Sequence, residues 1–152
     1  MRQLRHSNLP LKRSHLNELN CQIDNLNHRY QHLEFWVYWP MKASDEKDLM
    51  VSNSEILPYL RQAIELAHSF GRSVEIKNFP SCMLGKYAYT VVNAQPQLFI
   101  DPDFWDEFSK NDFFQCDHRA QCEDKECLGL NGAYVKKYGK ESHLLNPIRK
   151  EP

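Results

Sequence analysis

No stretch of the chain approaches the roughly 20 consecutive apolar residues that a membrane-spanning helix needs. The basic start, Met1-Arg2-Gln3-Leu4-Arg5-His6, leads into no apolar segment of the kind a secretory signal carries. A positive excess is lacking as well: 19 Lys and Arg stand against 20 Asp and Glu, a formal net charge of -1. That removes the electrostatic footprint of a nucleic-acid binder. There is no Ser-His-Asp order, no G-x-G-x-x-G and no phosphate loop, and neither repeats nor low-complexity tracts occur. The expectation is a cytoplasmic protein with no membrane and no nucleic acid among its partners. Its 152 residues suffice for one ordinary domain. What is present fits a packed core, since 41% of residues are hydrophobic and 8 Phe, 7 Tyr and 3 Trp argue against disorder.

Five cysteines stand at 21, 82, 116, 122 and 127. In a cytosolic chain such a cluster points to metal binding rather than to disulfides, and the odd number leaves Cys21 over.

Along the chain, the first ten residues are polar, carry Pro10 and show no periodicity, so they read as an arm. From Ser14, a plausible N-cap, the apolar positions Leu16, Leu19, Ile23, Leu26, Tyr30 and Leu33 recur at spacings of 3 and 4, which predicts one helix to about Tyr30. Cys21 lies off that stripe. The run Leu33–Trp39, closed by Pro40, predicts a strand covered on both faces. After a loop holding Asp45, Glu46, Lys47 and Asp48, Ser52-x-x-Glu55 is a capping-box candidate. The helix it opens carries Ile56, Leu57, Leu60, Ala63, Ile64, Ala67 and Phe70 on one face, with Gly71 placed for a C′ glycine. Ser73–Lys77 then completes a strand-helix-strand crossover unit. Two strands alone cannot bury both faces of Phe35–Trp39. Burial therefore calls for further strands, from a partner chain, a second copy or the front of a larger α/β barrel.

Beyond Pro80, Tyr87–Val92 and Gln97–Ile100 are candidates for a short antiparallel pair around Asn93–Pro96. Asp101-Pro102-Asp103 opens a helix with Phe104, Trp105 and Phe108, and a last helix spans about Asn131 to Tyr138, closed by Gly139.

The four late cysteines are spaced Cys82-x33-Cys116-x5-Cys122-x4-Cys127. The segment from Cys116 to Cys127 is nearly devoid of apolar side chains and cannot pack itself. Four thiolates on a metal or cluster would organise it, because metal-binding free energy becomes folding free energy in such segments. Of the short C-x2–4-C knuckles typical of structural zinc, only the longest spacing occurs, at Cys122-x4-Cys127. Wider, uneven spacings suit a [4Fe–4S] cluster, although zinc stays open as the alternative. His118 is a weaker candidate ligand that reads as a solvent-facing loop residue. Asp117, Glu123, Asp124 and Glu126 would add negative charge there and hold the potential of a cluster low. His28 and His32, four apart, read as a solvated helix face, Trp36 and Trp39 as core or interface, and the lysines near the C-terminus as solvated surface.

Asn78-Phe79-Pro80-Ser81-Cys82-Met83-Leu84-Gly85 at a strand end resembles the P-x-C segment after a late barrel strand in many radical S-adenosylmethionine enzymes. Cys122-x4-Cys127-Leu128-Gly129, followed by Tyr134, Tyr138-Gly139 and Leu145-x-Pro147-Ile148, is similar to their auxiliary iron–sulfur extension of the SPASM or twitch kind. The likeness covers roughly residues 30 to 150. It implies an α/β fold with an incomplete (β/α) barrel unit followed by a small α+β cysteine-rich extension: residues 1–13 an arm, 14–80 the last part of a partial barrel, 81–152 the extension. It also implies an auxiliary [4Fe–4S] cluster on Cys82, Cys116, Cys122 and Cys127. The C-x3-C-x2-C motif that holds the S-adenosylmethionine cluster of that family is missing. Catalysis by this chain alone is therefore not implied, and a partner supplying the front half of the barrel is. A zinc-stabilised interaction domain using the same cysteines, or a remnant with free thiols, are the other readings.

Overall fold

The computed structural model describes residues 5–40, 45–94 and 102–149. The chain is mixed α/β around a three-stranded parallel sheet of order β1-β2-β3: β1 Arg5–Leu11, β2 Tyr30–Val37 and β3 Ser73–Lys77. Between β1 and β2 lie a 3-10 segment, Arg13–Glu18, and α1, Leu19–Asn25; α2, Asn53–Ser69, joins β2 to β3. Among the described residues no helix is long and apolar enough to cross a membrane.

The first strand corrects the reading of the N-terminus as an arm. Leu9 pairs in register with Phe35, and Leu11 with Val37, so the chain itself supplies the second neighbour that β2 requires. β2 also differs from expectation in its faces. Leu33, Phe35 and Val37 are buried, whereas His32 and Glu34 are half-buried and Trp36 is 42% exposed. The sheet therefore covers one face only, and Trp36 is not core.

On the covered face the period-2 strand residues meet the 3.6-period helix stripes. Leu16, Leu19 and Ile23 pack with Ile56, Leu60, Ile64 and Ala67 over Phe35 and Ile76, all at most 2% exposed. The helix predicted to run to Tyr30 stops at Asn25, because the Asn27 side chain accepts from Arg29 N–H at 2.9 Å in a local turn and Tyr30 enters the sheet. Ser14 is not its cap; the residue before the 3-10 segment is Lys12. The carbonyls of Ile23 and Leu26 at the helix end accept instead from the buried Arg72 guanidinium at 2.7 and 2.8 Å.

Helix α2 follows its local signals. Ser52 Oγ accepts from Glu55 N–H at 3.2 Å. At the other end Gly71, at φ +68°, donates to His68 C=O and Arg72 N–H to Ala67 C=O, the double bond of a Schellman cap. Pro58 sits inside the helix, in its second turn, with its ring side exposed.

Past β3 the expected hairpin is replaced. Tyr87 falls in a 3-10 segment, Gly85–Thr90, and only Val91 makes a parallel bridge, to Ile76; Gln97–Ile100 lie outside the described residues. Helix α3, Pro102–Ser109, has proline as its first residue, as expected. Helix α4, Gly132–Tyr138, is capped by Asn131, whose side chain accepts from Tyr134 N–H at 2.8 Å, and closed by Gly139 at φ +74°. It builds a second small core with Met50, Leu130, Ala133 and Tyr134.

Candidate metal centre

The turn carrying Cys82 is fixed from three sides. Asn78 leaves β3 at φ +61°, its N–H donating to Asn93 Oδ1 (3.1 Å) and its amide to Val37 C=O (3.2 Å). The Asn93 amide donates in turn to Phe79 C=O at 3.0 Å. Arg61, reaching from α2, donates to Met83 C=O at 3.1 Å. Pro80 and Ser81 are buried, and Ser81–Met83 forms a 3-10 turn whose half-buried Cys82 packs against the edge of the main core.

The other three cysteines come from an irregular segment. Beyond a single 3-10 turn, Arg119–Gln121, the described residues 116–127 contain no helix or strand. Polar contacts give it shape. Asp124 Oδ1 accepts from the N–H groups of Glu126 (3.1 Å) and Cys127 (3.0 Å), and its Oδ2 accepts from the Ser81 hydroxyl. Arg119 donates to Cys127 C=O at 2.8 Å and stacks 4.1 Å over the Phe114 ring. Gly129 brings the chain back against Phe114 at φ +67°, where a Cβ would stand 3.1 Å from Phe114 Cα. The C-terminal stretch closes the site, with Ile148 C=O accepting from Glu123 N–H at 2.8 Å and Leu145 buried.

Cys82, Cys116, Cys122 and Cys127 all line one pocket, together with Pro80, Ser81, His118, Arg119, Asp124, Gly129, Leu145 and Pro147. All four are half-buried and none is in a disulfide; Cys21 is exposed on α1, apart from them. The thiols feel one another. Burial pushes Cys82 up to about 11, an Asn146 N–H opposes this, and the neighbouring Cys127, Cys116 and Cys122 add to the rise. Burial likewise raises Cys127, with Gly129 N–H opposing and Asp124, Cys116 and Cys122 reinforcing. Cys82 and Cys127 therefore resist ionisation unless a cation offsets the charge.

Among the described residues, the one group of three His, Cys, Asp or Glu ligand atoms all within 4.8 Å of one another is His6, His32 and Glu34, away from the cysteines.

Sequence spacing anticipated the cysteines but not their supports. Arg119 lines the pocket with no sequence signal, and Ser81 and Gly129, which also line it, enter the sequence reading only as members of quoted motifs. Asp124-x-x-Cys127 is an Asx-type pattern that could have flagged the aspartate. His118 lines the pocket, half-buried, rather than facing solvent. Of the expected acidic surroundings, Asp117 is paired with Lys140 at 2.5 Å and accepts from Ser142 at 2.8 Å, and Asp124 accepts from the loop, while Arg119 adds positive charge. His28 and His32 do not share a helix face, since His32 lies in β2. No protein-family model, no curated protein and no solved structure matches the chain.

Proposed function

We propose that this chain is an iron–sulfur protein that carries one [4Fe–4S] cluster on Cys82, Cys116, Cys122 and Cys127. One observation carries the reading: four unpaired cysteines, one from a strand end and three from a loop without regular structure, line a single pocket. Their wide, uneven sequence spacing favours a cluster over zinc, which remains the alternative in a non-enzymatic interaction domain using the same residues. Unpaired cysteines also fit a reducing, cytoplasmic setting.

The chain serves as the C-terminal portion of a radical S-adenosylmethionine-type enzyme, residues 81–152 acting as the auxiliary extension. In support, three parallel strands with both crossover helices packed on one face have the layout of a barrel segment whose other face is open. Lacking C-x3-C-x2-C, the chain is not catalytic alone. The S-adenosylmethionine cluster and the remaining strands come from a partner chain, and a homo-oligomer is the competing arrangement. When bound, the auxiliary cluster supplies electron transfer or an anchoring iron. The protein's own residues hold it: Asp124 and Ser81 fix the loop, Arg119 offsets thiolate charge, and Leu145 and Pro147 limit water.

Anaerobic reconstitution with iron and sulfide tests this. The expected product is brown, holds about four irons per chain and gains a paramagnetic signal on reduction. Cys82→Ser and Cys122→Ser should lose it and Cys21→Ser should keep it. A colourless protein with one zinc ion would favour the alternative, and a metal-free folded protein would end both.

A further inference from the structure

We propose a second, sulfur-free metal site on the open face of the sheet, formed by His6, His32 and Glu34 and suited to a first-row divalent cation. It stands on geometry independent of the cysteine pocket. His6 and His32 are register partners on adjacent parallel strands, and Glu34 follows His32 by two residues, so all three project from the same face. Their ligand atoms lie within 4.8 Å of one another. The two imidazoles meet edge to face with centroids 4.9 Å apart, and His6 Nδ1 is 3.5 Å from Glu34 Oε1.

The groups around them hold each ligand in a usable state. The Ser73 hydroxyl lies 2.8 Å from His32 Nδ1 and fixes the ring. Trp36 Nε1 donates to Glu34 Oε2 at 3.1 Å, which leaves Oε1 toward His6. The neighbouring Glu75, 3.8 Å from His32 Nε2, is engaged by Lys77 at 2.9 Å, so one carboxylate is committed to an ion pair and the other is left for a cation. Two imidazoles and a carboxylate match zinc, iron(II), cobalt(II) or nickel(II) rather than calcium or magnesium. Three protein ligands leave coordination positions open, as in catalytic rather than structural sites. Glu34 also walls a cleft of ≈ 360 Å³ shared with Trp36, Lys77, Asn78 and Asn93, so a small molecule seated there would lie beside the metal's carboxylate ligand.

Cobalt(II) titration of the full reduced chain tests this, because cobalt bound by thiolate shows intense sulfur charge-transfer bands and cobalt bound by nitrogen and oxygen does not. The expected result is one equivalent that binds without adding to those bands, beside any cobalt held by the cysteine pocket, and that is retained in a Cys82→Ser, Cys122→Ser double variant. His32→Ala and His6→Ala should each weaken it at least tenfold. Since His6 is exposed, its replacement leaves the core untouched and circular dichroism should be unchanged. Cobalt binding confined to the thiolates would overturn the proposal. So would a sulfur-free site indifferent to His6→Ala. Neither outcome bears on iron loading of the cysteine pocket, which is read by reconstitution.

Discussion

The Glu141 carboxylate accepts from the Asn53 backbone N–H at 3.1 Å, joining the segment after α4 to the first turn of the 17-residue helix α2. Its other oxygen accepts from Ser54 N–H at 3.3 Å, and the Tyr134 hydroxyl donates to the carboxylate as well. A negative charge thus satisfies orphan donors where the helix dipole favours it. Burial works against ionisation of Glu141, but hydrogen bonds from Ser54, Tyr134 and Asn53 outweigh it and hold the carboxyl below its usual range. Glu141→Gln should cost about 1–2 kcal/mol, the range of a lost cap. Urea unfolding at neutral pH measures it, and an unchanged midpoint would show that the link between the two ends of the chain is idle.

Asp45 sets a pH dependence. Its side chain is 2% exposed; it accepts from Leu49 and Met50 N–H at 3.0 and 2.8 Å and pairs with Lys137 at 2.7 Å. Burial pushes its pKa up, yet Lys137 and the two N–H groups overcome this and leave it lowered. A depressed carboxylate contributes stability that is present above its unfolded value, about 3.9, and is lost as pH falls through the folded value. Wild-type protein should therefore lose stability below about pH 4 at a site where Asp45→Asn has nothing left to lose. The variant should start about 1–3 kcal/mol lower at pH 7, as for a charge-assisted hydrogen bond. Parallel stability curves for the two proteins from pH 7 to pH 2 would contradict this.

Elements with short-range signals were legible from sequence, and those made by distant partners were not. Helix α2 announced itself through Ser52, Glu55 and Gly71, and α4 through Asn131 and Gly139, because caps are local chemistry. Strand β1 was hidden. Only Leu9 and Leu11 face the core, and Pro10 weakens the pattern, so the strand exists because β2 offers it a ladder. The overlong α1 arose because Tyr30 and Leu33 continue the helical spacing by accident from within a strand. At the metal centre, thiol spacing pointed to convergence, while the Ser81–Asp124 bond joins residues 43 apart and no pattern announces it.

That bond predicts how firmly the pocket holds a metal. Ser81→Ala removes one donor to Asp124 and should cost about 1 kcal/mol. Asp124→Ala also releases the N–H groups of Glu126 and Cys127, so its effect should be larger. In both variants metal should leave to a chelator faster than from wild type, in the order Asp124→Ala, Ser81→Ala, wild type. Equal release rates for all three would mean that the cysteines alone shape the loop.

Gly129 and Gly139 permit a test of close approach. Both have positive φ, +67° and +74°, and Gly139 with ψ -171° lies where essentially only glycine is found, so alanine costs on the order of 1–3 kcal/mol in backbone strain. At Gly139 an alanine methyl would find nothing within 4 Å, whereas at Gly129 it would meet Phe114 Cα at 3.1 Å and Phe114 C at 3.3 Å. The neighbour there is backbone, itself at φ +68° and donating from Phe114 N–H to Leu128 C=O at 2.8 Å, so it has little room to yield. Gly129→Ala should therefore add about 1–3 kcal/mol of overpacking to its strain, whereas Gly139→Ala should carry strain alone. Because Cys127 lies two residues away and Gly129 N–H donates to its sulfur at 3.3 Å, only the first variant should also lower metal content. Equal losses of stability and metal in the two variants would place the loop's shape in φ alone rather than in the contact with Phe114.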